Sequence, residues 1–568
     1  MCHGSVFPRA WLKQSPRLVC RRLVPQSTTR RLNYARQTGS VRTMASSSSS
    51  SYSSSSSGQE SPLEKRVVVG SFIFKIPDGD RAQAKVALFR RSGMVKTYKH
   101  KLSPCSGRVE LYDKSPLAAA LREIREETNL PASSLELLCA GKPYSFTDES
   151  VNHEWSIHPL AFRLKDIAEG GVGERGISLD WENEAIEWFD PMQVNGSPEF
   201  GGVPRLVESL RRVWPEYDLG PEAGRALVQG INRIRWDRQH GAISLADLAV
   251  VTLQEVIRLL FRRSVVDEDW WVKIRMAAWH ICQSRSDTDA AITIAMFTAL
   301  GAIEHHEPFA SEVSDVPPPM VRALDHVLTQ REQQTNFISG TFHNYIRGFI
   351  LSKGVQCQKP SISVLTLSLS YTVLRCLSHL SVGLDLRILE SRPLFEGVTT
   401  ASEILRRHPT NSNIRVTLYT DASAALAARD IDFLILGADR ISSAGDVSNA
   451  TGSLPAVLSA RHVAPDVKVL VLSDVEKISR PIPMDVYIPK QNSPREISKA
   501  WTVDGAEDIG DALNSRDPRI AVKHDLSEWV PGSLIDLYIN NRGIWDLEMV
   551  QTFSGLVGEK YEQVFKEL

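Results

Sequence analysis

The sequence has none of the paired cysteines that hold zinc. Its seven cysteines (Cys2, Cys20, Cys105, Cys139, Cys282, Cys357 and Cys376) are scattered, with no Cys-x-x-Cys among them. Neither a zinc site nor a disulfide framework is expected, and a reducing compartment fits best. There is no surplus of charge either: 66 Lys and Arg stand against 67 Asp and Glu, a net charge of -1. A basic face for a polyanion is not implied, so no direct nucleic-acid partner is expected. No apolar run reaches the roughly 18 residues that a membrane helix needs, so no membrane partner is expected. No Gly-x-Gly-x-x-Gly follows a strand-like run, which leaves a dinucleotide site without support.

One absence is local. Residues 1–59 contain no Asp or Glu, while Arg, Ser and Leu are frequent. Residues 1–61 therefore read as a leader, either a mitochondrial transit peptide or a disordered basic tail. Met44 opens the Ser tract and could act as an internal start, so the expected location is mitochondrial or cytoplasmic. The Ser tract cannot bury a core and reads as a linker.

What remains of the 568 residues is too long for one core. Residues 62–215 alternate strand-like runs (RVVVGSFIFKI, AKVALFRR, SLELLCA, HPLAFRLK, AIEWFD) with one marked helix, SPLAAALREIREE. Ser115 and Pro116 are suited to its cap and first turn. Residues 222–345 place apolar residues at helical spacing throughout. From 346 to 568 short apolar runs alternate with amphipathic helices, the pattern of a doubly wound parallel sheet. The expected fold class is α/β.

The helix ends in REIREETNL, which crowds Glu123, Glu126 and Glu127 onto neighbouring turns. Like charges at that spacing repel, unless a divalent cation sits among them; Mg²⁺ prefers such hard oxygen ligands. Arg122 can orient a carboxylate from behind. Strand, glycine-containing loop (CSGRVEL) and helix together resemble the Nudix hydrolase family, whose signature closes on Arg-Glu-apolar-x-Glu-Glu-x-Gly-apolar. Asn129 stands where the family has Gly, and it tolerates the left-handed turn needed there. Upstream, Lys114 occupies the position of the family's first Glu, with Asp113 beside it, and Gly107 comes one residue early. One inserted residue accounts for both. The resemblance implies an α/β/α sandwich. It also implies Mg²⁺ or Mn²⁺ held by Glu123, Glu126, Glu127 and the Gly107 carbonyl, with Glu126 and Glu127 catalytic. The reaction implied is hydrolysis of a diphosphate linkage. Glu154 is the candidate for a further base from a later loop.

In the last segment, DFLILGADRISSAGDVSNATGSL puts Asp439 at the carboxyl end of a strand, where open α/β sheets bind ligands. The Asn449–Gly452 turn feeding the next helix reads as a phosphate cradle. Residues 222–568 resemble the family that joins the alpha, beta and delta subunits of translation initiation factor 2B to two sugar-phosphate isomerases. The marks are VLTLSLS, ESRPLFEG, VTLYTD, LGADRI with GDVSN, and VPGSLIDLYI, in that order. The resemblance implies a helical subdomain over 222–345 and a Rossmann-like sugar-phosphate subdomain over 346–568. Asp439 and Ser368 then take the catalytic positions, and Arg392, Glu396, Asn449 and Gly452 the substrate-binding ones. It also implies a homodimer through this unit. Ser368 replaces the isomerases' cysteine, Ala450 a lysine and His240 an arginine. A serine hydroxyl has a far higher pKa than a thiol near ~8.5 and shuttles protons poorly.

The leading expectation is therefore a fused protein. A Mg²⁺-dependent hydrolase of a nucleoside-diphosphate-linked, small-molecule phosphorylated substrate precedes a sugar-phosphate- or nucleotide-binding module. The alternatives are an active aldose–ketose isomerase with a degenerate Nudix domain, and a non-enzymatic regulatory relative of the initiation factor.

Overall fold

The computed structural model describes residues 63–568, apart from 238–239, 262–267, 286–288, 305–318, 353–360, 409–412, 483–492, 494–495, 498–518, 520 and 567. The Arg-rich leader, Met44 and the Ser tract lie outside the described residues. Among those described, Cys105, Cys139, Cys282 and Cys376 are free thiols. No described helix is long and apolar enough to cross a membrane.

The apolar runs of the first half become an eight-stranded sheet. Its strands are β1 (Glu64–Lys75), β2 (Lys85–Arg91), β3 (Leu102–Ser103), β4 (Cys105–Arg108), β5 (Leu135–Ala140), β6 (Tyr144–Asp148), β7 (His153–Leu164) and β8 (Asn183–Phe189). The backbone order is β3-β2-β1-β7-β5, with β4 on β1, β6 on β7 and β8 on β2. Only β1 and β7 pair in parallel, from Glu64↔His153 to Phe74↔Arg163. Side chains of β1 alternate between two cores. Val69 and Ile73 pack with Ala120 and Ile124 of α1 (Pro116–Thr128). Phe72 and Phe74 face the other way, onto Leu206 and Leu210 of α2 (Leu206–Arg211) and onto Trp214 ahead of α3 (Pro215–Leu219). Helices on both faces make the expected sandwich. The ends of α1 follow the sequence signals: the Ser115 hydroxyl accepts the Ala118 N–H at 3.2 Å, and Asn129 closes the helix at φ 59°.

A helical layer follows: α4 (Pro221–Trp236), α5 (Ala242–Phe261), α6 (Glu268–Cys282), α7 (Asp289–Glu304) and α8 (Pro319–Ser352). Its core is continuous with one face of the next sheet. That sheet contains β9 (Ser361–Leu367), β10 (Gly383–Leu389), β11 (Ile414–Tyr419), β12 (Phe433–Leu436), β15 (Lys468–Leu472), β17 (Leu537–Asn540) and β18 (Gly543–Trp545), in the order β11-β10-β9-β12-β15-β17-β18. All neighbours are parallel except the last pair. Its connecting helices include α9 (Tyr371–Ser378), α10 (Glu396–Arg407), α11 (Ala424–Ala427) and α12 (Ser453–Val463). A small antiparallel sheet, β13 (Arg440–Ile441), β14 (Val447–Ala450) and β16 (Ser527–Val530), sits beyond β12. The chain closes with α13 (Leu547–Phe565). This is the doubly wound sheet expected from the strand–helix alternation, and the carboxyl ends of β9, β10 and β12 share one edge, where open sheets of this kind bind ligands.

The two halves meet through α2, α3 and α6. Cys139 Sγ of β5 lies 3.6 Å from His280 Nδ1 of α6, and Arg211 of α2 pairs with Asp269 of α6 at 3.6 Å.

Candidate functional sites

The carboxylates of α1 do not stand free on a solvated face. Arg122 spans Glu123 at 2.7 Å and Glu126 at 3.1 Å. Its other nitrogens donate to Asp113, at 3.2 and 2.8 Å, and to the Arg108 carbonyl at 2.9 Å. Asp113 thus fills the supporting role left vacant by Lys114, which is exposed. Arg122 holds the Asp113 carboxyl below the usual carboxylate range, through a charge-assisted hydrogen bond.

Gly107 explains how Glu123 fits. A Cβ at this position would fall 1.9 Å from Glu123 Cδ and 2.2 Å from either oxygen, so the carboxylate lies directly against the β4 backbone. Glu127 turns inward instead. It accepts the Ser106 N–H at 2.9 Å and the Asn183 side-chain N–H at 2.7 Å. Burial pushes its carboxyl up to about 8, against the pull of those two donors.

The fourth carboxylate of the cluster comes from the loop before β8. Burial raises the carboxyls of Glu123 and Glu127 and the charge of Glu182 adds to it; Glu182 is itself raised by burial, Asp180 and Glu126. Its N–H is tied to Asp180, at 3.0 Å. Glu154 is elsewhere, on β7 opposite Lys65 and paired with it at 3.1 Å. Glu182 was legible only as part of an acidic run, DWENE, ahead of a strand.

Among the described residues, no three His, Cys, Asp or Glu side chains converge tightly enough to form a metal centre. The donor set nevertheless suits a hard divalent cation: all carboxylates, on a helix braced from behind, with Glu123 seated on the Gly107 cradle.

A cavity of about 220 Å³ is lined by Ser106, Gly107 and Arg108 of β4 and by Leu206 and Ser209 of α2, with no residue of α1 among them. Tyr144 and Phe146 of β6, Trp155 of β7 and Arg66 and Arg91 also line it. The lining contains no Asp or Glu.

At the second sheet, the structure brings most of the expected residues to one edge. Ser368 follows β9 at φ 65°; its hydroxyl donates to Glu396 at 2.6 Å and its N–H to the Ser391 hydroxyl at 2.8 Å. Arg392 donates its N–H to Asp421 and its side chain to Glu390, at 2.8 and 3.1 Å. Asp439 is exposed just after β12, held by its N–H to the Ser448 carbonyl at 2.8 Å. Lys477 donates to the neighbouring Ala438 carbonyl at 2.5 Å; burial lowers its pKa, and Asp439 opposes that shift. Asn449 is buried and bonded to the Ser453 hydroxyl at 2.9 Å. A Cβ on Gly437 would sit 2.8 Å from the Ser370 side chain, which shows how tightly the β9 and β12 loops meet. His240 is exposed and pairs with Asp237, at 2.8 Å.

The phosphate cradle expected at Asn449–Gly452 is filled from within. Glu528 of β16 accepts the N–H groups of Gly452 and Leu454, at 2.6 and 3.1 Å, with a single carboxylate oxygen. A side chain of this protein thus takes the anion position at the start of α12.

Two family models match the chain. The NUDIX domain covers residues 66–212, and the initiation factor 2 subunit family covers residues 238–547. A methylthioribose-1-phosphate isomerase of Heliobacterium modesticaldum is 27% identical over 175 residues, 30% of this chain and 46% of the relative. The isomerase of the same name from Desulfitobacterium hafniense is 25% identical over 261 residues, 44% of this chain and 70% of the relative. The chain thus spans less than half the length of the first of these relatives. Among solved structures, the translation initiation factor eIF-2B of Pyrococcus horikoshii OT3 aligns over 56% of this chain and 96% of its own, at 16% identity and a TM-score of 0.38.

Proposed function

Since this chain belongs to the initiation factor 2 subunit family and carries a NUDIX domain ahead of that unit, we propose that it is a Mg²⁺- or Mn²⁺-dependent hydrolase of a nucleoside-diphosphate-linked compound. The observation that carries the reading is the braced helix: Asp113 fixes Arg122, Arg122 fixes Glu123 and Glu126, and Gly107 gives Glu123 its seat. Glu123, Glu126 and Glu127 would hold the cation, which when bound activates water and offsets phosphate charge. Glu127 anchors β4 to the helix through the Ser106 N–H. Glu182 is the carboxylate placed to take the proton of the attacking water as the bridging P–O bond breaks and the leaving phosphate departs.

The test is a panel of nucleoside-diphosphate compounds with Mg²⁺ on the full chain. Glu126→Gln and Glu127→Gln should each lower hydrolysis by about two orders of magnitude or more, roughly 3 kcal/mol of transition-state stabilisation. Full activity in the double variant would remove the reading.

For the second unit we infer a sugar-phosphate- or nucleotide-binding module, paired as a homodimer, that does not turn its ligand over quickly. Slow turnover is supported by the Ser368 hydroxyl, which is committed to Glu396, while Glu528 on the α12 amides leaves a phosphate to be held elsewhere along the edge. A second reading, active isomerisation, draws on the likeness to methylthioribose-1-phosphate isomerases and on Lys477 beside Asp439. Following aldose-to-ketose conversion of ribose 1,5-bisphosphate and methylthioribose 1-phosphate separates the two; rapid conversion would favour the second.

A further inference from the structure

We propose that Lys477 is the cation that receives a ligand's phosphate at the edge of the second sheet, an inference resting on the reading of that unit as a sugar-phosphate- or nucleotide-binding module. The edge is rich in acids. Glu390, Asp421 and Asp439 follow β10, β11 and β12, and Glu396 takes the Ser368 hydroxyl after β9. A phosphate therefore needs a positive partner there. Arg392 is exposed and already paired with Glu390 at 3.1 Å, and the amides at the start of α12 are taken by Glu528. Lys477 differs from both. It is half-buried, and among the described residues no carboxylate lies within ion-pairing distance of its ammonium. Of its three N–H donors one goes to the Ala438 carbonyl, and the other two have no protein acceptor. Leaving such donors unmet is unfavourable, and an anion entering the edge beside Asp439 would meet both.

The cation is also held in place before any ligand arrives. Lys477 closes a single turn, Val475–Lys477, that follows β15. The Asp474 side chain accepts the Glu476 N–H at 2.9 Å, and the Val475 N–H donates to the Asn541 side chain at 3.1 Å. The buried Arg331 of α8 donates to Glu476 and, at 2.6 Å, to Asp247 of α5, so the helical layer braces the turn from behind. Past the lysine, the Ser479 N–H donates to the Ile441 carbonyl of β13 at 2.8 Å. A donor fixed in this way loses little further freedom when it binds. Burial lowers the pKa of Lys477, while the charges of Asp439 and Asp474 oppose that shift and favour the ammonium. The same ammonium offsets the charge of Asp439, which would otherwise repel a phosphate held nearby.

The experiment uses the full chain without divalent metal. Ribose 5-phosphate and AMP are titrated by calorimetry, with ribose and adenosine as phosphate-free controls, and thermal melts are recorded in parallel. Lys477→Met keeps an unbranched stem and removes the charge. It should weaken both phosphates by about tenfold or more and leave the controls as they are in the parent chain. Without ligand, its melting temperature should equal or exceed that of the parent, because a half-buried charge with unmet donors is gone. A lower melting temperature would make Lys477 a structural tie to Ala438 and overturn the assignment. Unchanged phosphate binding in the variant would also overturn it, with the module reading left standing. No heat from either phosphate in the parent chain would remove the module reading, and the role of Lys477 with it.

Discussion

At the scale of single residues, the carboxylate helix shows how spacing and geometry part company. The sequence places Lys114 where a supporting Glu is wanted, but the loop from Glu110 to Asp113 closes on itself. The Glu110 N–H donates to the Asp113 carboxylate at 2.9 Å, which turns Asp113 towards Arg122. An extra loop residue shifts the numbering without moving the carboxylate. Asp113→Asn should therefore lower hydrolysis by about tenfold or more, with a larger effect on kcat than on KM, because it loosens Arg122 rather than removing a ligand. Lys114→Glu should change little. Gly107→Ala should be more damaging than its size suggests, since its methyl group meets the Glu123 carboxylate. Glu182→Gln should depress kcat while Glu154→Gln leaves it unchanged; equal effects from the two would undo the assignment of the proton acceptor. Glu182 escaped the sequence reading because its contact with α1 is made across a loop, and no spacing rule encodes that.

At the scale of elements, strands and caps were the most legible part. The apolar run RVVVGSFIFKI announced β1 as a strand, and Ser115-Pro116 and Asn129 announced both ends of α1. The short strands β3, β4 and β6 were not announced, because two to five residues carry too little periodicity. The α12 turn was legible as an anion site, but its occupant was not, since Glu528 lies 76 residues from Gly452 in sequence. Glu528→Ala removes an N-terminal cap and should cost about 1 kcal/mol of stability, read as a lower urea midpoint at unchanged slope. The freed amides should then make the melting temperature of the variant rise with inorganic phosphate more than that of the parent protein. An equal response in both would mean that Glu528 is only a cap.

At the scale of the whole molecule, the junction between the two halves carries a titratable group. His280 of α6 is buried against Cys139 of β5, and burial, aided by the charge of Arg212 on the same side, lowers its pKa to about 4 from an ordinary 6.5. The folded chain keeps this imidazole neutral, whereas the unfolded chain protonates it below about 6.5. Between those values the unfolded state holds the extra proton. The contribution is thus intact above about pH 6.5 and is lost as pH falls towards 4, with a ceiling of roughly 3 kcal/mol. Thermal melts across this window should show a shallower loss of stability in His280→Gln than in the parent chain; parallel curves would exclude His280 as the source.

The parallel pairing of β1 with β7 has a consequence for synthesis. Among the described residues β1 is the first strand in chain order, yet its parallel partner follows only after β2 to β6 and α1. Until then its apolar run, VVVGSFIF, lacks that edge. Contacts between distant parts of a chain form late, because loop closure is paid for before they reward it. Nascent chains stalled before His153 should therefore be the most aggregation-prone and chaperone-dependent, and release should accelerate once Leu164 has emerged.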